Sequence, residues 1–177
     1  MKRLNVDFDE IQKAMEDVAR DTFDYFLDLE TGEVVSISEE IVRDLKERLS
    51  DDLEEIADDV EYVEFDEEPE IPDWMTDEME IMLEILFDEG ERYVRIPERE
   101  TRSAFQAMDE FVKTVGDPLL KERLSVALNG KGAFRKFKDI LISFPRERKR
   151  WHGFNAKTAR TEILQWLKSL GMDATSL

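Results

Sequence analysis

The chain has 177 residues, contains no cysteine and carries a formal net charge of −19 at pH 7. The lack of cysteine excludes disulfides, thiolate nucleophiles and cysteine-based zinc or iron–sulfur sites. A hydrophobic content of 41% allows a buried core, but no apolar run approaches the roughly 20 residues that span a bilayer, and the N-terminus has no apolar signal segment, so we expect a cytoplasmic protein without membrane contact.

The first half of the chain shows local patterns of both helix and strand. Asp7 and Glu10 have the spacing of a capping box, and the apolar residues after them, including Val18, predict a short helix over 8–20. Residues 24–37 show the side-chain alternation of a β-strand both before and after a Glu-Thr-Gly turn, and this pattern predicts a β-hairpin. Ser38 is expected to cap a helix with Ile41, Val42, Leu45 and Leu49 on one face, and a continuation to Ala57 stays open.

An acidic stretch follows from about residue 50 to 73. Residues 51–59 are mostly carboxylates. In 60–65, apolar and polar residues alternate weakly, which is typical of a short edge strand. Residues 66–73 form an acidic segment with two prolines, which predicts a linker. The next helix is expected to start at Thr76 and to end near Gly90, with Met79, Met82, Leu83 and Leu86 facing inward.

The second half is predicted to be helical after one strand at 92–96. Pro97 is expected to open a long helix to Val115 that buries Phe105, and Asp117 with Pro118 to start the next helix. Gly130 and Gly132 should break that helix before a new one near Ala133, with the inward residues Phe134, Phe137, Leu141 and Phe144. Pro145 is expected to stop it, 146–154 to form a short basic helix or turn, and Asn155 to cap a last helix.

These elements predict a mainly helical α+β protein, with a small antiparallel sheet made of the hairpin 24–37 and the strand 92–96, packed on helices. Residues 1–100 hold 36 Asp and Glu against 10 Lys and Arg, whereas residues 101–177 hold 8 against 15. We therefore divide the chain into an acidic α+β part, 1–97, which includes the acidic insert at about 50–73, and a basic helical part, 98–177. Both are expected to belong to one compact unit.

Most catalytic motifs are missing from this sequence. His152 is the single histidine, so an HExxH zinc site is excluded, and the glycines around Lys131 lack the strand and the Ser or Thr of a phosphate-binding loop. A solvated acidic face is the favoured explanation, over weak cation binding, of the carboxylates Asp51, Asp52, Glu54, Glu55, Asp58 and Asp59. We predict no catalytic residue and no cofactor.

Residues 130–150 form a basic region, and we call residues 131–150, which hold its eight cations against two acids, the basic segment. Its cations are Lys131, Arg135, Lys136, Lys138, Arg146, Arg148, Lys149 and Arg150. The helix, G-x-G, helix pattern resembles a helix-hairpin-helix DNA-binding turn, but Lys131 replaces the usual apolar residue between the glycines and Lys136 the usual small residue. The cations either pair with acids of this chain or contact the phosphates or carboxylates of a partner.

Five stretches occur in an order that resembles a bacterial family, uncharacterised protein family 0158. They are 25–35, 92–112, 127–141, the Pro145 to Trp151 spacing, and 166–172; the resemblance is weak over 50–88, which indicates a length-variable insert. It implies no known activity. The family's most distinctive stretches match Asp28, Glu30, Gly32, Arg102, Gly130, Gly132, Phe134, Arg135, Phe137, Lys138 and Trp151.

Arg102 is a further candidate contact residue. A cation in the first turn of a helix is unfavourable to the helix dipole, so Arg102 is expected to pair with an acid elsewhere or to reach a ligand. Our leading hypothesis is a non-enzymatic binding or regulatory protein that contacts nucleic acid or an acidic protein through the basic segment. A metal- or carboxylate-dependent enzyme using acids of the N-terminal half, and a structural module that forms homo-oligomers, stay open as alternatives.

Overall fold

The computed structural model describes residues 1–44, 47, 73–88 and 90–176. In chain order the elements are β1 (Lys2–Val6), α1 (Phe8–Glu16), β2 (Phe23–Asp28), β3 (Val34–Ser38), α2 (described over 39–44), α3 (Asp73–Phe87), β4 (Tyr93–Arg95), α4 (Thr101–Lys113), α5 (Pro118–Leu128), α6 (Ala133–Ile142), α7 (Pro145–Ser169) and β5 (Met172–Ser176). The predicted fold class, a mainly helical α+β protein with a small antiparallel sheet, is confirmed.

By internal packing the chain forms two compact units. Unit 1 combines Met1–Glu16 with Pro97–Leu177, and unit 2 is Asp17–Ile96. The first 16 residues thus group with the C-terminal helices. The division at 97/98 that the composition suggests stays a prediction.

The sheet of unit 2 has the strand order β3-β2-β4 and is antiparallel throughout. Both the hairpin and the strand at 92–96 are therefore confirmed. The turn is stabilised by Asp28, whose Oδ1 accepts the backbone N–H of Glu30 at 2.8 Å and of Thr31 at 3.3 Å. Gly32 has φ 82°, a left-handed conformation that costs glycine little.

Helices α2 and α3 complete the core of unit 2. Ser38 Oγ accepts the N–H of Ile41 at 3.3 Å, which confirms the predicted cap, and Ile41 packs with the buried Met79 and Met82. Helix α3 begins at Asp73, three residues before the predicted start at Thr76. Leu86 is 41% exposed, so its predicted inward position is wrong. The predictions for 51–72, including the edge strand and most of the linker, lie outside the described residues.

Unit 1 contains a pair of strands that the local patterns did not predict. Strands β1 and β5 run parallel, with Leu4 opposite Ala174 and Val6 opposite Ser176. Leu4 and Val6 are buried, so β1 contributes to the core although its other residues are polar and exposed. The pairing joins the two ends of the chain, and no window of sequence contains both strands.

Two helices of unit 1 are shorter than predicted. Helix α1 ends at Glu16, and Val18 is 98% exposed beyond it, so the prediction of a helix to residue 20 with Val18 inward is wrong. Helix α4 begins at Thr101 instead of Pro97, and Phe105 is exposed on it, contrary to its predicted burial. Helix α5 begins as predicted, because Asp117 Oδ1 accepts the N–H of Leu119 at 2.9 Å.

Helix α7 is one continuous helix of 25 residues. Pro145 occupies its first turn, where the missing N–H has no intrahelical partner to lose, so the proline starts this helix after ending α6. The predicted break between 146–154 and a helix capped by Asn155 is therefore wrong. Asn155 lies in mid-helix, and its side chain bonds to Arg99 and Glu16.

Aromatic side chains from three helices form the centre of the unit 1 core. The ring of Phe137 lies 6.2 Å from that of Phe111 and 5.0 Å from that of Trp151, both edge to face. Phe134 and Phe144 are partly buried against the same cluster. The phenylalanine stripe of α6 is thus a core face, as its helical spacing predicts.

Candidate anion-binding surface

The basic segment 131–150 runs from the turn after α5 through α6 into the first turns of α7. Gly132 has φ 70° and ψ 30° and precedes α6, where its carbonyl accepts the N–H of Lys136 at 3.0 Å. A side chain with a Cβ would be strained in this left-handed conformation. The glycines thus form a tight joint between two helices, and the segment is placed by local backbone chemistry.

All eight cations of the basic segment are exposed. Arg135 is the most open of those with a carboxylate neighbour: its side chain is 89% exposed, and its Nε lies 3.8 Å from Oδ2 of Asp139, one turn further along α6. An exposed pair at this distance contributes little to stability. Asp139 therefore leaves the Arg135 charge largely available to solvent or to a partner.

Arg150 differs from the other cations because it is held by the protein. Its Nη2 lies 2.7 Å from Oε2 of Glu147, and its Nη1 donates to Oγ1 of Thr114 at 2.7 Å. Its guanidinium carbon lies 4.6 Å from the centre of the Phe111 ring. Arg150 therefore joins the start of α7 to the end of α4, a structural role that the sequence did not indicate.

Six cations of the basic segment make no ion pair within the part of the chain that the structure describes. They are Lys131, Lys136, Lys138, Arg146, Arg148 and Lys149. Lys136 lines a shallow groove between α5 and α6 together with Glu122, Arg123, Val126 and Asp139. The structure thus places the predicted residues on two neighbouring helices and the turn before them, and leaves most of their charges without a carboxylate partner among the described residues.

Arg102 stands apart from the basic segment. It is exposed in the first turn of α4, and the described residues provide no ion pair for it. Arg150 contacts Thr114 at the end of α4. Thr114 lies twelve residues after Arg102, which corresponds to about 18 Å along the axis of that helix. The structure therefore gives no geometric reason to group Arg102 with Arg150 in one site.

Sequence reasoning missed a buried arginine in unit 1. The side chain of Arg99 is only 5% exposed and bonds to Glu16 at 2.7 Å, Glu162 at 3.0 Å and Asn155 at 2.6 Å. These contacts join α1 and α7 to the segment before α4. The local pattern around Arg99, a charged Pro-Glu-Arg-Glu run, gives no signal of burial.

A second charged cluster lies in unit 2, around the buried Asp28. Oδ2 of Asp28 accepts hydrogen bonds from Nη2 of Arg92 at 2.8 Å and from its Nε at 3.1 Å. Burial would by itself raise the pKa of Asp28, but the hydrogen bonds from Arg92 and from the backbone N–H groups of Glu30 and Thr31 outweigh it and hold the pKa below its usual value. The cluster is satisfied internally and stabilises the hairpin turn.

The neighbouring Tyr93 is also perturbed. Its hydroxyl donates to Oε2 of Glu84 at 2.8 Å, and burial together with this hydrogen bond raises the pKa of Tyr93 to about 12. The protonated hydroxyl serves as a donor that links β4 to α3.

A metal-dependent enzyme requires several carboxylates or histidines that converge on one cation. Within 1–44, 47, 73–88 and 90–176, no group of three or more His, Asp or Glu side chains could hold a metal ion. The acids Asp51, Asp52, Glu54, Glu55, Asp58 and Asp59 lie outside these ranges. His152 is exposed on α7.

The fold and the surface define a mainly helical α+β protein with an exposed basic helical segment. Among the described residues, no helix has both the length and the apolarity needed to cross a membrane.

The chain belongs to the uncharacterised protein family UPF0158, whose model matches residues 60–175. It is similar to the UPF0158 protein PA5073 of Pseudomonas aeruginosa, with 24% identity over 168 residues that cover 95% of this chain and 84% of that protein. No solved structure matches the chain. The family resemblance inferred from the sequence is therefore confirmed.

Proposed function

We propose that this protein is a non-enzymatic binding protein that contacts a polyanionic partner through the basic segment 131–150. The observation that carries the proposal is the set of six exposed cations on α6, its preceding turn and the start of α7 that lack an ion pair with any described residue. Exposed cations clustered on neighbouring helices are the electrostatic signature of a surface for phosphates or carboxylates.

The distribution of charge over the packing units supports this proposal. Unit 1 holds 19 Lys and Arg against 14 Asp and Glu, a net of +5, whereas unit 2 holds 6 against 30, a net of −24, and together they give −19. The cations are therefore concentrated in the unit that carries the basic segment. The acidic unit 2 is suited to suppress non-specific binding of nucleic acid or to contact a basic protein.

The environment of three N-terminal acids supports binding over the enzyme alternative. Asp28 is engaged by Arg92, Asp24 lies 2.6 Å from Nε of Arg95, and Asp17 bonds to the hydroxyl of Tyr25. Each of these three carboxylates is engaged by a side chain of unit 2, which supports a structural role for them. The oligomerisation alternative predicts a solution mass that is a multiple of 20.8 kDa, which light scattering measures.

Binding to defined polyanions tests the proposal. Full-length protein is titrated into labelled duplex DNA, labelled single-stranded RNA and labelled poly-L-glutamate over a series of salt concentrations. We expect affinity for at least one of them, and the triple substitution Arg135→Glu, Lys136→Glu, Lys138→Glu should abolish it. For a duplex, each lost phosphate contact reduces the slope of log affinity against log salt by about 0.9.

Two controls separate loss of binding from loss of structure. Acidic residues in the first turns of α6 complement the helix dipole, so the triple variant should keep the wild-type circular dichroism. Lys121→Glu, an exposed charge reversal on α5, should bind nearly as the wild type does. If the wild type binds none of the three polyanions, or if the triple variant binds as well as Lys121→Glu, the proposal is wrong.

A further inference from the structure

Helix α7 carries a cationic stripe that continues beyond the basic segment. Arg146, Lys149, Gly153, Lys157 and Arg160 follow one another at intervals of three or four residues, so they share one face of the helix, and all five are exposed. We call these five residues the α7 stripe. The stripe exists only because α7 runs without a break from Pro145 to Ser169.

The two acids of α7 lie off this stripe and are bound elsewhere. Glu147 pairs with Arg150, and Glu162 pairs with the buried Arg99. Arg160, at the far end, lies with its guanidinium carbon 4.0 Å from the centre of the Phe8 ring.

The remaining three cations are less constrained. Arg146, Lys149 and Lys157 make no ion pair with any residue that the structure describes. Lys157 and Glu110 both line the shallow groove between α4 and α7 without forming an ion pair with each other. The stripe therefore presents a run of cations that its own helix leaves without neutralising charges.

Gly153 lies at the middle of the stripe, and the protein itself does not require a glycine there. It is exposed in the interior of a helix, and a Cβ built on it would meet no atom within 4 Å. Glycine in a helix interior is less stable than alanine, because its backbone loses more freedom on folding. No contact within unit 1 explains the absence of a side chain, whereas a partner that approaches the helix backbone closely would explain it.

We propose that the α7 stripe contacts the sugar–phosphate backbone of a nucleic-acid duplex, with Gly153 at the point of closest approach. This inference rests on the proposed binding function and specifies the partner. From Arg146 to Lys157 the stripe extends about 16 Å along the helix, since each residue rises 1.5 Å. That length matches about five phosphates of one strand at 3.4 Å each along the duplex axis.

The side chains around the stripe favour a duplex over other polyanions. Trp151 and Phe154 lie on either side of Gly153 in sequence, and both pack with Phe111 inside unit 1. These two rings are thus engaged within unit 1 and are not presented for stacking by unpaired bases. The stripe also lacks the apolar and aromatic centre by which proteins recognise one another. Cations at regular intervals suit a regular array of phosphates.

The test measures binding of the full chain to a labelled 24-bp DNA duplex of arbitrary sequence at 0.1 M monovalent salt. Lys157→Glu should weaken binding by at least about eightfold, the factor that one phosphate contact contributes at this salt concentration. Gly153→Gln changes no charge and places a good helix former at this position, so it should raise the melting temperature yet weaken binding. Lys121→Glu serves again as the matched charge-reversal control on α5.

The outcomes separate this inference from the proposed function, because Gly153 and Lys157 lie outside the basic segment. If the α6 triple variant loses duplex binding while Gly153→Gln and Lys157→Glu retain it, the inference that the α7 stripe contacts the duplex is wrong and the proposed function stands. If poly-L-glutamate binds more tightly than the duplex and is released by the same substitutions, the choice of nucleic acid is wrong. If the wild type binds no polyanion, both fail.

Discussion

Replacing Gly153 with alanine should stabilise the free protein. The glycine lies in the interior of the 25-residue helix α7, it is exposed, and the added Cβ would have no atom within 4 Å. The gain is therefore the intrinsic difference between the two residues in a helix, about 0.5–1 kcal/mol. For a chain of this length that corresponds to a rise of about 1–4 °C in the melting temperature.

Differential scanning calorimetry of the full chain, supported by urea unfolding, measures this change. Gly132→Ala is the matched control, because Gly132 has φ 70° and nothing within 4 Å of its added Cβ, so only backbone strain acts there. We expect this control to destabilise the protein by about 1–2 kcal/mol. If Gly153→Ala lowers the melting temperature, then either α7 is not continuous at this position or an unseen contact occupies the space, and the close-approach argument for the α7 stripe loses its basis.

Three further predictions concern the cores of the two units. Asp28→Asn should cost about 1.5–3 kcal/mol in urea unfolding, because it weakens the charged hydrogen bonds to Arg92. Glu30→Gln should cost less than about 1 kcal/mol, because Glu30 is 63% exposed and lies 3.5 Å from Arg92; equal losses would contradict the role of Asp28. Since the pKa of Tyr93 is about 12 in the folded state against 10.0 ordinarily, the folded state binds more protons between these values, so stability present below pH 10 is lost as the pH rises towards 12. Tyr93→Phe should reduce this alkaline loss in unfolding curves, and an unchanged pH dependence would count against the burial of the hydroxyl. Phe137→Ala should cost about 3–5 kcal/mol by chemical denaturation, since the ring is fully buried; a loss below about 1 kcal/mol would contradict the aromatic core.

Elements defined by local chemistry were predictable from the sequence. The hairpin follows from alternation around a Glu-Thr-Gly turn, and the start of α5 follows from Asp117 before Pro118, because each depends on residues only a few positions apart. The parallel pair β1–β5 depends on the two ends of the chain instead. Its register places Lys2 opposite Met172, a residue 170 positions away in the sequence, so no local pattern indicates the pairing.

The error at Pro145 had consequences for the candidate site. A proline is compatible both with the end of one helix and with the first turn of the next. The sequence pattern instead predicted that α6 ends at Pro145 and that a short basic helix or turn precedes a helix capped by Asn155. The basic segment identified from its run of cations ends at Arg150. Because α7 is continuous, Gly153 and Lys157 fall on the same face as Lys149, and that alignment is visible only once the helix is known to run through.

The roles of individual arginines also depend on tertiary structure. Counting charges identified Arg150 as one cation of eight, yet its contacts with Thr114 and the Phe111 ring make it a structural residue. Arg99 was overlooked although its side chain is almost fully buried among two carboxylates and an amide. Sequence gives the sign of a charge, whereas burial and partners decide whether that charge is available to another molecule.

A net charge of −19 and contact with a polyanion are compatible because they act over different distances. Far from the protein a phosphate backbone experiences the net charge and is repelled, but at 0.1 M salt the Debye length is about 10 Å, and beyond it most of that repulsion is screened. Closer than this, the local cations decide the sign of the interaction. An attraction that operates only at short range requires the partner's backbone to come close to the helix, and a side chain at position 153 would hold it away. The overall acidity of the chain and the exposed Gly153 thus support the same conclusion: binding through the α7 stripe depends on close contact, and long-range attraction contributes little to it.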